Sequence, residues 1–176
     1  MNRKMSIFAA LVTIASTSAL TPGRATLLVD NGSRRAASTL ALRLTAASLS
    51  TLLGSEVLPV SLRWSDGVAA AKLDGTPACI LESTLRALAA DGIDSVAIVP
   101  LFLGPADGIR SAFATAQQDG AAPPQLALGA CLVDEASPDD TRVGRALAAG
   151  ILRTARANRL AVPYRVVVVD HGKPPH

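Results

Sequence analysis

Aromatic side chains are scarce in this chain: one Trp, one Tyr and three Phe make up 3% of its residues. Proteins that grip single-stranded nucleic acid stack bases on such rings, so the composition argues against nucleic acid as a partner. The core must be built from Leu, Val, Ile and Ala, which the 49% hydrophobic content supplies. Excess charge is scarce too. The formal net charge is +3, and Arg3 and Lys4 carry two of those three charges, so +1 is left for the remainder. No footprint for a polyanionic polymer survives. The two cysteines, Cys79 and Cys131, have no CxxC spacing, which excludes the sequence signatures of a zinc site and of a redox pair. They serve as small buried apolar residues or, in an exported protein, as a disulfide if they meet. The spaced glycines with Gly-Lys-Ser/Thr of a P-loop are absent, and so is GxGxxG.

Long hydrophobic runs are also missing. The apolar stretch over residues 5–15 is too short to span a bilayer, but it follows Asn2-Arg3-Lys4 and precedes the small residues Thr17, Ser18 and Ala19. Residues 1–19 therefore read as a secretory leader, the alternative being a plain N-terminal extension. Export to the periplasm follows from the first reading and a cytoplasmic protein from the second. No other segment is expected to cross a membrane.

What is present is a regular alternation. With 176 residues the chain suits one domain with a sizeable core. Short, nearly continuous apolar runs at residues 25–30, 57–62, 95–103, 126–133 and 164–170 read as strands buried on both faces. Helical stretches lie between them. The first covers residues 36–53, with Leu40, Leu44 and Ala47 on one face and Gly54 as its stop. The second is expected over residues 76–90, with Thr76 as its cap and Pro77 at its first position. The third spans residues 110–118. The fourth opens at Ser137-Pro-Asp-Asp, where Ser137 can cap and Asp139 and Asp140 meet the positive end of the dipole, and runs to about residue 158. The expected architecture is a three-layer α/β domain with a mainly parallel four- to five-stranded sheet.

Ligands of such sheets bind beyond the C-terminal ends of the strands. All the polar clusters of the chain lie there: DNGSRR, RWSDG, GPADGIR, DEASPDD and DHGKPPH. In the first, Gly32 lets the backbone turn, Ser33 can cap the following helix, and Arg34 and Arg35 face the strand ends, which suits an anion. An ordinary strand-to-helix turn with solvated arginines would read the same way.

The segments TLLVDNGSRRAASTLALRL and GIDSVAIVPLFLGPADGIR, in this order, resemble the class II tetrapyrrole chelatases, the sirohydrochlorin cobaltochelatase and ferrochelatase group. The resemblance covers residues 25–160, one whole chelatase domain. It implies insertion of Co²⁺ or Fe²⁺, as substrate metal, into an anionic tetrapyrrole of cobalamin or siroheme type, with no tightly bound cofactor. That chemistry needs a group that holds the metal and a base that accepts pyrrole protons near neutral pH, and imidazole does both. The family carries one His after the first strand and one after the PLFL strand. Here those positions hold Asn31 and, about, Gly108, with Asp107 the nearby carboxylate, and a Glu common at the end of the second strand falls near Arg63. Asn is a weak ligand without a basic nitrogen, and Gly has no side chain.

Residues 161–176 end on VVVVDHG, which resembles the first strand of a second chelatase copy and places His171 where the first copy has Asn31. The chain thus resembles the first half of a tandem chelatase plus the opening strand of the second. Its expected site is His171 as metal ligand and proton acceptor, with Asn31, Gly32, Ser33, Arg34, Asp107 and Gly108 binding substrate. His171 as a plain surface residue after a terminal strand is the alternative, and His176 receives no role. The last helix carries Arg142, Arg145, Arg153 and Arg156 on one face, opposite Val143, Leu147 and Ile151, either as a solvated face or as a rim for a polycarboxylate. Two functions follow from the resemblance: a metal-inserting lyase, or a binding half-domain that lost catalysis and needs a partner. The partner would be a second copy or a separate second half-domain.

Overall fold

The run Arg-Ala-Thr-Leu-Leu-Val-Asp forms β1 (Arg24–Asp30), an inner strand of a four-stranded sheet. It pairs in parallel with β2 (Val57–Ser61) on one side and β3 (Ser95–Pro100) on the other, and β3 pairs in parallel with β4 (Gln125–Leu128). The order is β2-β1-β3-β4. The computed structural model describes residues 23–118, 125–133, 137 and 139–167. The leader, His171 and His176 lie outside the described residues.

The chain divides into two units, Met1–Asp134 and Glu135–His176. The first holds the sheet and three helices, α1 (Ala36–Leu53), α2 (Leu81–Ala90) and α3 (Asp107–Gln118). It is an α/β unit with helices on both faces of an all-parallel sheet, as expected. Adjacent residues of β1 point to opposite faces. Leu28 packs with Leu42 and Ala46 of α1 and with Val57. Leu27 and Val29 join the larger cluster with Leu58, Val60, Val96 and Ile98, closed by Leu81, Leu85 and Leu88 of α2 and by Ile109 and Ala116 of α3. Full burial of each such leucine contributes about 1.5–3 kcal/mol. Cys79 and Cys131 are free thiols that pack against this cluster as small apolar residues.

Several expectations need correction. The buried face of α1 is Thr39, Leu42 and Ala46, whereas Leu44 is 72% exposed and Ala47 is also exposed. Polar and apolar residues are not segregated on this helix, and Thr39 itself is buried, so periodicity alone could not orient it. The second helix starts at Leu81, not near Thr76. Arg43 donates to the carbonyls of Leu73, Thr76 and Pro77, and Ser61 donates its N–H to the Cys79 carbonyl, so residues 76–79 run extended beside β2. The strands β3 and β4 stop at Pro100 and Leu128, earlier than expected. Beyond them Leu101 N–H still bonds Val29 O, Gly129 N–H bonds Ile98 O and Leu132 N–H bonds Phe102 O. Tyr164 to Val167 form no strand, and the rest of the expected fifth strand lies outside the described residues.

By length and composition α1 could cross a membrane. Its role here is the crossover that two paired parallel strands require. It ends where the sequence says it should, at Gly54 with φ 64° in the left-handed region.

In the second unit α4 spans Arg142–Ala157 and starts later than Ser137. Asp140 replaces Ser137 as the start signal, accepting the Arg142 N–H at 3.0 Å. It also takes the Arg142 guanidinium at 2.6 Å, which holds its carboxyl down at about 2.

Candidate functional site

The chain leaves β1 toward β2 on one side and later returns to β3 on the other, so the strand order reverses between β1 and β3. Parallel sheets open a crevice at such a point, beyond the carboxyl ends of the strands. Residues 31–35 and 101–106 emerge on its two sides.

The β1 loop is tied to the β2 loop. Leu62 N–H donates to Asp30 O at 2.8 Å and Arg63 N–H to Asn31 O at 3.3 Å. Gly32 lies so close to this second loop that a Cβ built on it would sit 1.7 Å from the Arg63 carbonyl oxygen, and its φ is 81°. Only glycine fits there. Its N–H donates to Asp30 Oδ1 at 2.9 Å, closing the turn through the side chain.

Beneath the loop runs a chain of hydroxyls. Ser33 N–H donates to Ser65 Oγ at 3.0 Å, Ser65 Oγ donates to Ser61 Oγ at 2.9 Å, and the Ser61 hydroxyl bonds the Asp30 carboxyl. Ser61 and Ser65 are buried, so the network is the means by which these polar groups are satisfied. Burial pushes the Asp30 carboxyl above its ordinary value, against the opposing bonds from Ser61 and Gly32.

Ser33 therefore orders the loop and does not cap α1. Its Oγ accepts the N–H of Arg35 at 3.1 Å, and Arg35, the residue at the helix boundary, makes no side-chain cap bond.

The side chains exposed along the two loops are Asn31, Arg34, Arg35, Arg63, Trp64 and Asp66. Arg34 stacks its guanidinium over the Trp64 ring, 5.5 Å from the centroid. The opposite side of the crevice is apolar at its surface. Leu101 and Leu103 after β3 are exposed, as are Leu132 and Val133 after β4, and Leu132 N–H joins the two loops through Phe102 O.

The structure brings Asn31, Gly32, Ser33 and Arg34 together as one loop. It also brings Gly108 to this edge, where a Cβ would meet Leu62 Cδ2 at 2.6 Å. The space a side chain at position 108 would take is thus filled by Leu62. Asp107 opens α3 and is exposed. His171 lies outside the described residues, and among those that are described no group of three or more His, Cys, Asp and Glu is gathered. Arg142, Arg145, Arg153 and Arg156 are exposed on α4 in the second unit.

Sequence reasoning missed Ser61, Ser65 and Trp64. The two serines meet each other four residues apart, but the partners that give them a role, Ser33 and Asp30, are about thirty residues away. Trp64 carried a signal, being the one Trp and standing in a polar strand-end cluster.

A cavity of about 260 Å³ lies between α1, β2 and residues 76–79. Arg43 there is engaged with three carbonyls, and burial pushes the Cys79 thiol up, away from the thiolate form.

No protein-family model matches the chain, and no curated protein matches it.

Proposed function

We propose that the first unit binds an anionic tetrapyrrole at the C-terminal edge of its sheet, as a half-domain of the class II chelatase type, and that metal insertion depends on a histidine supplied from outside the described residues, His171 in the first instance. One observation carries the reading. The Gly32 loop is locked against the β2 loop so that Arg34, Arg35 and Arg63 stand exposed at the strand-order reversal, where carboxylates would meet guanidinium donors. Metal-holding capacity does not accompany it. Asn31 offers an amide and Gly108 offers nothing, so neither can hold Co²⁺ or Fe²⁺ or take a pyrrole proton. A neutral imidazole, with His171 as the candidate, would hold the metal and, once the metal is handed over, take one of the two pyrrole protons that insertion releases, the other passing to solvent.

The test is an anaerobic titration of the full chain with sirohydrochlorin, with and without Co²⁺, read by the visible spectrum, beside the His171→Ala variant. Saturable binding in both proteins, with insertion confined to the unmodified one, is the expected result. Absence of saturable binding by the unmodified chain sinks the proposal. Equal insertion rates in the two proteins remove His171 from it.

A further inference from the structure

Trp64 is the residue at this edge that the anion-binding argument leaves unexplained. Of the other aromatic side chains, Phe102 and Phe113 pack in or against the core, whereas the single Trp keeps 55% of its surface exposed. Its backbone has φ 72°, in the left-handed region that bulky L residues rarely adopt. Such a conformation persists where its surroundings over-determine it. Here they do so on both sides. Arg63 is bonded to Asn31 O, Ser65 N–H donates to Arg63 O at 2.9 Å, and the Ser65 hydroxyl belongs to the buried relay to Asp30. The backbone that carries the indole is therefore tied on both sides. Arg34 lies over one of its faces and brings a positive charge to the ring.

We infer that Trp64 and Arg34 together form the specificity element of the edge, a stacking platform that selects flat conjugated polyanions over flexible ones of similar charge. This rests on the reading that anions dock at these strand ends. The two groups contribute differently. Indole and guanidinium both present flat faces to a conjugated ring, while the charge of Arg34, with Arg35 and Arg63 beside it, meets the ring's peripheral carboxylates. Exposed Leu101 and Leu103 extend the apolar floor across the crevice. A flexible polycarboxylate can use the arginines but has no face to lay on the indole.

The experiment compares two probes on the full chain by isothermal titration: uroporphyrin, flat with eight carboxylates, and an acetylated and amidated octaglutamate peptide, which is flexible and also carries eight. Trp64→Leu is expected to weaken uroporphyrin binding about tenfold, the scale of one aromatic stacking contact, and to leave the flexible probe unchanged. Trp64→Phe keeps a ring and is expected to stay within about threefold of the unmodified protein for both probes. Circular dichroism melts confirm that each variant is folded. Unchanged uroporphyrin affinity in Trp64→Leu overturns the inference and leaves anion docking standing. So does an equal loss for both probes, which makes Trp64 a structural residue. Failure of both probes to bind the unmodified chain removes the anion-docking reading together with the platform.

Discussion

The two halves of the strand-end edge are built on opposite plans. The β1 and β2 loops are knitted by backbone bonds, a glycine with no room for a Cβ and a serine relay ending on a half-buried aspartate. Among the described residues the β3 and β4 loops are joined by the Leu132 to Phe102 bond and present leucines to solvent. The hydrogen bonds are thus concentrated on the half that carries Arg34, Arg35 and Arg63. If that half binds a ligand as proposed, groups already ordered lose less on binding.

The sharpest way to break this contrast is a pair of identical substitutions. Gly32→Ala forces a Cβ against the Arg63 carbonyl at a positive φ and is expected to cost about 3 kcal/mol or more. Gly104→Ala, in the β3 loop, meets nothing within 4 Å and is expected to stay within about 0.5 kcal/mol of the unmodified protein. Urea midpoints measure both, and comparable losses would mean that the two loops are equally constrained.

A smaller effect is expected from Ser65→Ala. It removes the acceptor of the Ser33 N–H and the donor to Ser61 from a buried position, at a cost of about 1–3 kcal/mol. Thermal unfolding would report it, and the Arg34–Trp64 pair should loosen with it, seen as a red shift of the single Trp emission.

The smallest effect concerns Asp30, and it depends on pH. Because burial raises its carboxyl in the folded protein above the ordinary 3.8, the folded state holds the proton more tightly than the unfolded one. Its ionisation therefore costs stability as pH rises from 3.8 through the raised value, and that cost is absent below 3.8. Asp30→Asn keeps an oxygen for the Gly32 N–H and is expected to flatten this part of the stability profile, measured by denaturation across the acid range. An unchanged slope would show that another group produces it.

Much of the frame was legible in the sequence, and particular residues show why. The alternation of apolar runs with helical stretches identifies the parallel sheet, and Gly54 marks the end of α1, because each signal acts within a few residues of itself. The polar clusters could be placed at strand ends on the same local grounds, and DNGSRR was legible as a loop with exposed arginines. A serine near a helix start can serve as its cap, but at Ser33 the second loop's Ser65 takes up the N–H and the Oγ accepts from Arg35.

What the sequence by itself determined is thus the class of the fold, the order of its elements and the edge where polar groups gather. Only the tertiary structure decided which face of α1 is buried, that residues 76–79 leave their expected helix to run beside β2, and that Trp64 stands outward over a relay of buried serines. The physical reason is range. Periodicity and turn chemistry are properties of neighbours, whereas Arg43 reaching carbonyls some thirty residues away, Arg63 closing on Gly32 and Ser65 meeting Ser33 are decided by the packing of distant segments.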